Sequence, residues 1–249
     1  MGLHPGKRRL PDGSRCVARA ALPGKCFSAS AGPDRIVAAT WSLGVSVYRA
    51  QDLSAGRVHA PEAQRSSKAK SQTREVRCDP KGAGYALAAV DGKVSVEYFD
   101  SEGRRPFAFK CHRRAAGATS AGWGLSGGGK TSSPSAQRGP LSLSRRDKRP
   151  DGEATVHPVN AVAFHPMATF ATGGCDGAVH VWDPHHQKRI HSFPVLPAPV
   201  ASLDVSPDGT AVAVAASYTY ELGEMGERDA PAEHRVFVMP VTGREFHPR

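Results

Sequence analysis

One pattern recurs along this chain and constrains its fold more than any other feature. A short apolar alternation is followed by a turn of Pro, Asp or Gly, a run of small residues, and a second alternation ending on an aromatic. Its fullest copy is Val159-Asn160-Ala161-Val162-Ala163-Phe164-His165-Pro166, then Phe170-Ala171-Thr172-Gly173-Gly174-Cys175-Asp176-Gly177, then Val179-His180-Val181-Trp182-Asp183. A second copy runs from Lys25 through Pro33-Asp34 to Val45-Ser46-Val47-Tyr48, and a third from Arg74 through Pro80 and Asp91-Gly92 to Val94-Ser95-Val96-Glu97-Tyr98. A fourth starts at Val200 and carries Ser206-Pro207-Asp208-Gly209, Ala213-Val214-Ala215-Ala216-Ser217 and Val236-Phe237-Val238. Period-two alternation marks strands, and the Pro/Asp/Gly chemistry between them reverses the chain.

About four strands per unit of roughly 40 to 45 residues, with a closing Trp-Asp, predicts an all-β fold, a β-propeller of the WD-repeat type. Pro33 to Pro80 and Pro166 to Pro207 are each about one unit apart, whereas Pro80 to Pro166 is about two. The excess falls in a Gly/Ser/Arg-rich stretch with Gly127-Gly128-Gly129, Ser132-Ser133-Pro134 and Arg145-Arg146-Asp147-Lys148-Arg149-Pro150. Such a stretch buries too little hydrocarbon to offset its chain entropy. The predicted organisation is therefore a basic disordered segment at 1–24, two blades at 25–112, a flexible insert at 113–155, two blades at 156–240 and a C-terminal tail at 241–249. Removing the two poor segments also explains why only 39% of residues are hydrophobic and 7% aromatic, low for a compact β domain.

No apolar run approaches 18 residues, so no membrane helix is expected. Met1 is followed by Pro5, Lys7, Arg8 and Arg9 rather than an apolar core, which argues against a cleavable signal and for a soluble intracellular protein. Five cysteines, at 16, 26, 78, 111 and 175, lack disulfide or zinc spacing and predict reduced thiols. The Cys111-His112 pair has no partner ligands nearby in sequence and reads as structural. A net charge of +10 points to an acidic partner, although much of it sits at Lys7-Arg8-Arg9 and Arg145 to Arg149. Those clusters are the only parts with the composition of a nuclear-import signal or a nucleic-acid contact.

More specific strings carry a resemblance. Val90-Asp91-Gly92-Lys93-Val94-Ser95-Val96-Glu97-Tyr98-Phe99-Asp100, Phe107-Ala108-Phe109-Lys110-Cys111-His112-Arg113, Phe164-His165-Pro166 and Ser217-Tyr218-Thr219-Tyr220-Glu221 are similar to the mitotic spindle-checkpoint WD-repeat proteins of the budding-uninhibited-by-benzimidazole family. The likeness spans roughly 25 to 113 and 156 to 240. The messenger-RNA-export WD-repeat proteins, which bind nucleoporins, share the Lys110-Cys111-His112-Arg113 string and the Phe164-His165-Pro166 turn; an export adaptor is therefore the alternative reading. The checkpoint resemblance implies a non-enzymatic adaptor without cofactors, in the nucleus and at kinetochores with a cytoplasmic pool. Its implied partners are a phosphothreonine in Met-Glu-Leu-Thr-type repeats of a kinetochore scaffold, and the checkpoint kinase with its pseudokinase-like relative. It also implies a seven-bladed ring, of which this sequence holds about four blades.

By that resemblance the phosphate-holding cations fall at Arg74, Lys93 and Lys110. The chemistry fits, because a phosphothreonine brings a charge of about −1.5 to −2 and three acceptor oxygens that Arg and Lys can meet. The family commonly has Arg where this chain has Lys93. Lysine keeps the charge and gives up the planar fork, which predicts weaker phosphate binding.

A different class is raised by Gly124-Leu125-Ser126-Gly127-Gly128-Gly129-Lys130-Thr131, which satisfies the phosphate-loop pattern of NTPases. That mechanism needs a buried strand before the loop and a helix after it. Ala116 to Ala121 is too short and small for the first, and Ser132-Ser133-Pro134 blocks the second. Among the histidines, His185-His186 is expected in a turn between blades and His180 on a strand. Blade His and Asp residues are expected in hydrogen-bond networks, with no nucleophile motif and no metal site.

Overall fold

The computed structural model describes residues 16, 18–57, 60–100, 103–114, 154–220, 223 and 234–248. Most of the expected insert, residues 115–153, lies outside them, as do the phosphate-loop string and residues 1–15. Within them the repeat forms successive antiparallel sheets. Sheet A is β1 (Cys26–Ala31), β2 (Arg35–Thr40), β3 (Gly44–Arg49) and β4 (Ala63–Ser66), with a short helix α1 (Ala50–Ser54) before its last strand. Sheet B is β5 (Thr73–Cys78), β6 (Gly84–Ala89), β7 (Lys93–Tyr98) and β8 (Phe107–Lys110). A two-stranded ladder, β9 (Arg113–Arg114) with β10 (Thr155–Val156), leads into sheet C: β11 (Val159–Phe164), β12 (Phe170–Gly174), β13 (Val179–Asp183) and β14 (Lys188–Ser192). Sheet D has three strands, β15 (Val200–Val205), β16 (Ala211–Ala216) and β17 (Arg235–Pro240).

The sheets fan out from their first strands, which neighbour one another in the order β1, β5, β11, β15. This is the expected propeller arrangement, as an open arc. In each first strand the ladder to the second strand uses alternate residues, so every other N–H points away from its own sheet. Side chains of the preceding sheet meet those donors. The N–H groups of Val76 and Cys78 donate to Ser28 Oγ at 3.1 Å and Ser30 Oγ at 3.0 Å, and that of Val162 donates to Glu75 Oε2 at 2.6 Å. From β11, Asn160 Nδ2 donates to the Val200 carbonyl at 2.8 Å.

Between the sheets lie apolar layers. Val37, Val45 and Val47 of sheet A pack with Val76, Tyr85 and Leu87 of sheet B. Val94, Val96 and Phe109 of sheet B pack with Val159, Val162, Phe170 and Trp182 of sheet C. Val179 and Val181 of sheet C pack with Val200, Leu203, Val212 and Val214 of sheet D. The second strands of the two middle sheets are therefore covered on both faces, which accounts for their small residues: every residue of β6 and of β12 is buried. At Gly173 a Cβ would lie 2.3 Å from Val200 Cγ1, so sheet D packs this closely only against a glycine.

After β17 the chain turns back into the layer between sheets C and D, where Phe246 is fully buried. Thr169 Oγ1 donates to its carbonyl at 2.8 Å, and the His165 ring stacks on it at 4.8 Å. The pair His185-His186 sits in the hairpin joining β13 to β14, inside sheet C rather than between blades as expected. There Asp183 Oδ1 accepts both their N–H groups and caps the turn, a local bond that needs no neighbouring sheet. Among the described residues no helix is long and apolar enough to cross a membrane.

Phe109 packs against Trp182 at 4.5 Å and Phe170 at 6.4 Å. Phe109→Ala is expected to cost about 3–5 kcal/mol in urea unfolding; a loss below about 1 kcal/mol would contradict the layered packing. A second expectation concerns pH. Burial lowers the His165 pKa, and the neutral ring is specified on both sides: Nδ1 accepts the Met167 N–H at 3.1 Å while Nε2–H donates to the Gly209 carbonyl at 3.2 Å. Folded His165 thus binds fewer protons than unfolded His165 below its ordinary value of about 6.5, so its contribution to stability is full above that pH and falls as pH drops through it. The urea midpoint should fall less steeply between pH 7 and 5 in His165→Asn than in the unmodified chain; identical slopes would contradict this.

Candidate functional site

At one end of sheet B the register gathers cations. Lys93 and Lys110 are direct partners in the β7–β8 ladder, which places their α-carbons about 4.5–5.5 Å apart on the same face. Arg74 stands at the same end, where β5 is irregular between Thr73 and Glu75, opposite the end of β6. Strand spacing sets it about 10 Å from Lys93, within convergence range of two long side chains on one ligand. Arg74 and Lys110 are exposed, and neither forms an ion pair among the described residues. Lys93 is half-buried and pairs with Asp91 Oδ2 across its own turn.

That turn is fixed from behind. Gly92 has φ +66°, and a Cβ there would meet Val156 Cγ1 at 2.9 Å and the carbonyls of Cys111 and His157 at 3.0 Å. The Cys111 N–H donates to the Gly92 carbonyl at 2.8 Å, which ties the end of β8 to the turn. Arg113, the next cation along, donates from Nη2 to the Asp91 carbonyl at 3.5 Å and extends the rim. Arg113 closes the Lys110-Cys111-His112-Arg113 string, which by itself gives it no role; its position behind the Asp91 turn depends on how β9 leaves sheet B. Two lysines directly opposite in a ladder repel, so this rim favours an anion between them. The rim can hold a doubly charged group through cations alone. Among the described residues it presents no nucleophile and base in contact.

A polar network lies beside the rim. Nδ1–H of the fully buried His112 faces Asp176 Oδ1 at 2.8 Å, so its bare Nε2 accepts the Thr172 hydroxyl at 2.9 Å, and Trp182 Nε1 donates to the same hydroxyl oxygen at 2.9 Å. Burial raises the Asp176 carboxyl, but the hydrogen bonds it accepts from His112 and from the Ala178 N–H outweigh it and hold it below the usual carboxylate value. His112, Asp176 and His180 lie close enough together to be considered as metal ligands. Both nitrogens of His112 are already spent on Asp176 and Thr172, and His180 Nδ1 is 2.9 Å from Ser192 Oγ. The donor set is therefore a structural clasp between the β8–β9 connection and sheet C. The Cys111 thiol is pushed far up by burial, which removes it as a nucleophile.

Comparison with known proteins adds a family context. The pattern described as WD domain, G-beta repeat matches residues 151–183. Mitotic checkpoint protein BUB3.1 of Arabidopsis thaliana is 36% identical over 231 residues, 91% of this chain and 55% of its own length. The mRNA export factor GLE2 of Chaetomium thermophilum is 29% identical over 182 residues, 72% of this chain and 42% of its own. Among solved structures, the β-propeller domain of Cps50 (Swd1) from Myceliophteria thermophila superposes with a TM-score of 0.51 at 11% identity, over 77% of this chain and 49% of its own. The chain spans about half the length of the relatives it matches.

Thr172→Val would strand both the Trp182 N–H and His112 Nε2 in the interior. The expected loss is about 1–3 kcal/mol in thermal or urea unfolding; a stable variant would show that the network holds nothing.

Proposed function

We propose that this WD-repeat propeller chain, a relative of the BUB3 mitotic checkpoint proteins, is a non-enzymatic checkpoint adaptor that reads a phosphothreonine peptide with Arg74, Lys93 and Lys110. The supporting observation is the ladder partnership of Lys93 and Lys110, with Arg74 at the same end of sheet B. A phosphate seated there relieves the repulsion between the lysines and receives charge-assisted hydrogen bonds from Lys110 and Arg74. Lys93 contributes less freely, because Asp91 competes for it.

The peptide expected is the Met-Glu-Leu-Thr type found in a kinetochore scaffold, with the checkpoint kinase and its pseudokinase-like relative as further partners. Action in the nucleus and at kinetochores, with a cytoplasmic pool, follows from the same reading. The likeness to GLE2 supports a second reading, an export adaptor that would favour a nucleoporin motif and RNA.

Fluorescence anisotropy with matched peptides tests the assignment. Each charge-assisted bond is worth about 1.5–3 kcal/mol, so the phosphorylated peptide should bind about 10- to 100-fold tighter than the unphosphorylated one. Arg74→Ala with Lys110→Ala should erase the difference, and Asp91→Asn should widen it by freeing Lys93. Equal affinities for the two peptides would refute the site, and preference for a nucleoporin motif in a competition pull-down would favour the export reading.

A further inference from the structure

Sheet A holds a cavity of about 210 Å³ whose lining includes Tyr48, Arg49, Asp52, Leu53, Arg57 and Glu62. It lies where β3 ends and β4 begins. Because β1 and β5 run side by side in one direction, with Ser28 at Val76 and Ser30 at Cys78, this is the opposite end of the strands from Lys93. Helix α1 makes the space. Its first N–H, at Ala50, donates to the Asp34 carbonyl at 2.9 Å, and Gly56, with φ +73°, turns the chain back so that the Arg57 N–H meets the Asp52 carbonyl at 2.9 Å. Leu53 of the helix and the buried Tyr48 of β3 supply the apolar lining.

Two of the lining residues are exposed arginines, each steered by a carboxylate of the same cavity. Asp52 Oδ1 accepts Nε–H and Nη2–H of Arg57 at 3.2 and 2.9 Å. Glu62 Oε1 accepts an Nη2–H of Arg49 at 3.4 Å, while Arg35, whose guanidinium lies over the Phe99 ring, bonds both Glu62 oxygens. The Arg35 hydrogen bond above all holds the Glu62 carboxyl below its ordinary value, so it stays ionised and keeps its arginines in place. Among the described residues nothing engages Nη1 of Arg49 or Arg57, so each keeps N–H donors to spare. Arg35, Arg49 and Arg57 also outnumber Asp52 and Glu62; the next carboxylate, Asp100, is 3.9 Å from Arg35 and mostly exposed.

We propose that this cavity binds a carboxylate carrying a short branched apolar body, with the carboxylate on Arg49 and Arg57 and the body against Tyr48 and Leu53. Spare guanidinium donors suit a planar carboxylate, which they can meet with two parallel bonds. A dianionic phosphate is disfavoured, because the Asp52 and Glu62 charges repel it about twice as strongly as a monoanion. Size limits the body. At about 30 Å³ per water-sized group the cavity has room for about seven, the bulk of one leucine residue rather than of a drug-sized ligand. A free short-chain acid and the C-terminal residue of a peptide share this chemistry.

Calorimetric titration of the full chain tests this with 4-methylpentanoate, its neutral amide, and a pentapeptide ending in leucine with a free carboxylate. The acid should bind with a Kd on the order of 1 mM, and the amide about tenfold more weakly or worse. Arg49→Gln with Arg57→Gln should weaken the acid about tenfold or more, and Arg57→Gln alone, which leaves the Glu62 cluster intact, about three- to tenfold. Far-UV circular dichroism and thermal melting check that both variants fold. Tighter binding of the peptide than of the acid assigns the site to a peptide terminus, and the reverse order to a free acid; either supports the carboxylate site. Equal binding of acid and amide, undiminished binding in Arg57→Gln, or no binding of acid or peptide up to about 10 mM would overturn the proposal.

Discussion

The first strand of every sheet in this molecule carries backbone N–H groups that its own sheet cannot satisfy, and the arrangement of sheets depends on where those groups find acceptors. An unpaired buried N–H costs as much as a lost hydrogen bond. Here Ser28, Ser30 and Glu75 reach from one sheet to the first strand of the next, and Asn160 makes the reciprocal bond to a carbonyl. The Glu75 carboxyl is raised by burial even as the Val162 N–H and Arg77 pull it down, which records how far it is drawn out of water to make this bond. Apolar layers supply most of the free energy of stacking, but they are non-directional. The polar links fix which strand lies beside which.

That fixed stacking is what builds the cationic rim. Lys93 and Lys110 belong to neighbouring strands of one sheet, so their proximity follows from the β7–β8 register alone. The turn between β6 and β7 is held from elsewhere: the Cys111 N–H donates to the Gly92 carbonyl, and Cys111, Val156 and His157 leave no room for a Cβ at Gly92. His112, clasped by Asp176 and Thr172, anchors the connection into sheet C. A site that looks like a property of one sheet is therefore held from the next one.

How much of this was legible in the sequence varies with the physics of each element. Strands whose apolar residues alternate with polar or small ones announce themselves, and β3, β7, β11, β13 and β15 were readable for that reason, although alternate residues such as Ser46, Ser95 and Glu97 are buried as well. Two of the fourth strands were harder: β4 reads Ala-Gln-Arg-Ser and β14 Lys-Arg-Ile-His-Ser, mostly polar edge sequences that leave no periodic apolar signal. Phe246 lay in what read as a tail, because its burial depends on a cavity formed by His165 and the C–D layer far back in the chain. His185-His186 was placed between sheets since Trp182-Asp183-Pro184 looks like the end of a blade; only the pairing of β14 shows that the sheet continues. The three rim cations came from a resemblance, and what the structure adds is the ladder partnership of two of them and the Asp91 counter-charge on one.

The stacking of the sheets rests on side chains of one sheet satisfying the next sheet's outward donors, and amide hydrogen exchange measures that most directly. Val76, Cys78 and Val162 should be protected to nearly the level of global unfolding, although each N–H points away from its own sheet, while Ala29 and Ala31, which occupy the matching positions of β1 and are exposed, should exchange quickly. Fast exchange at Val76, Cys78 and Val162 would contradict the stacking on which the rim depends.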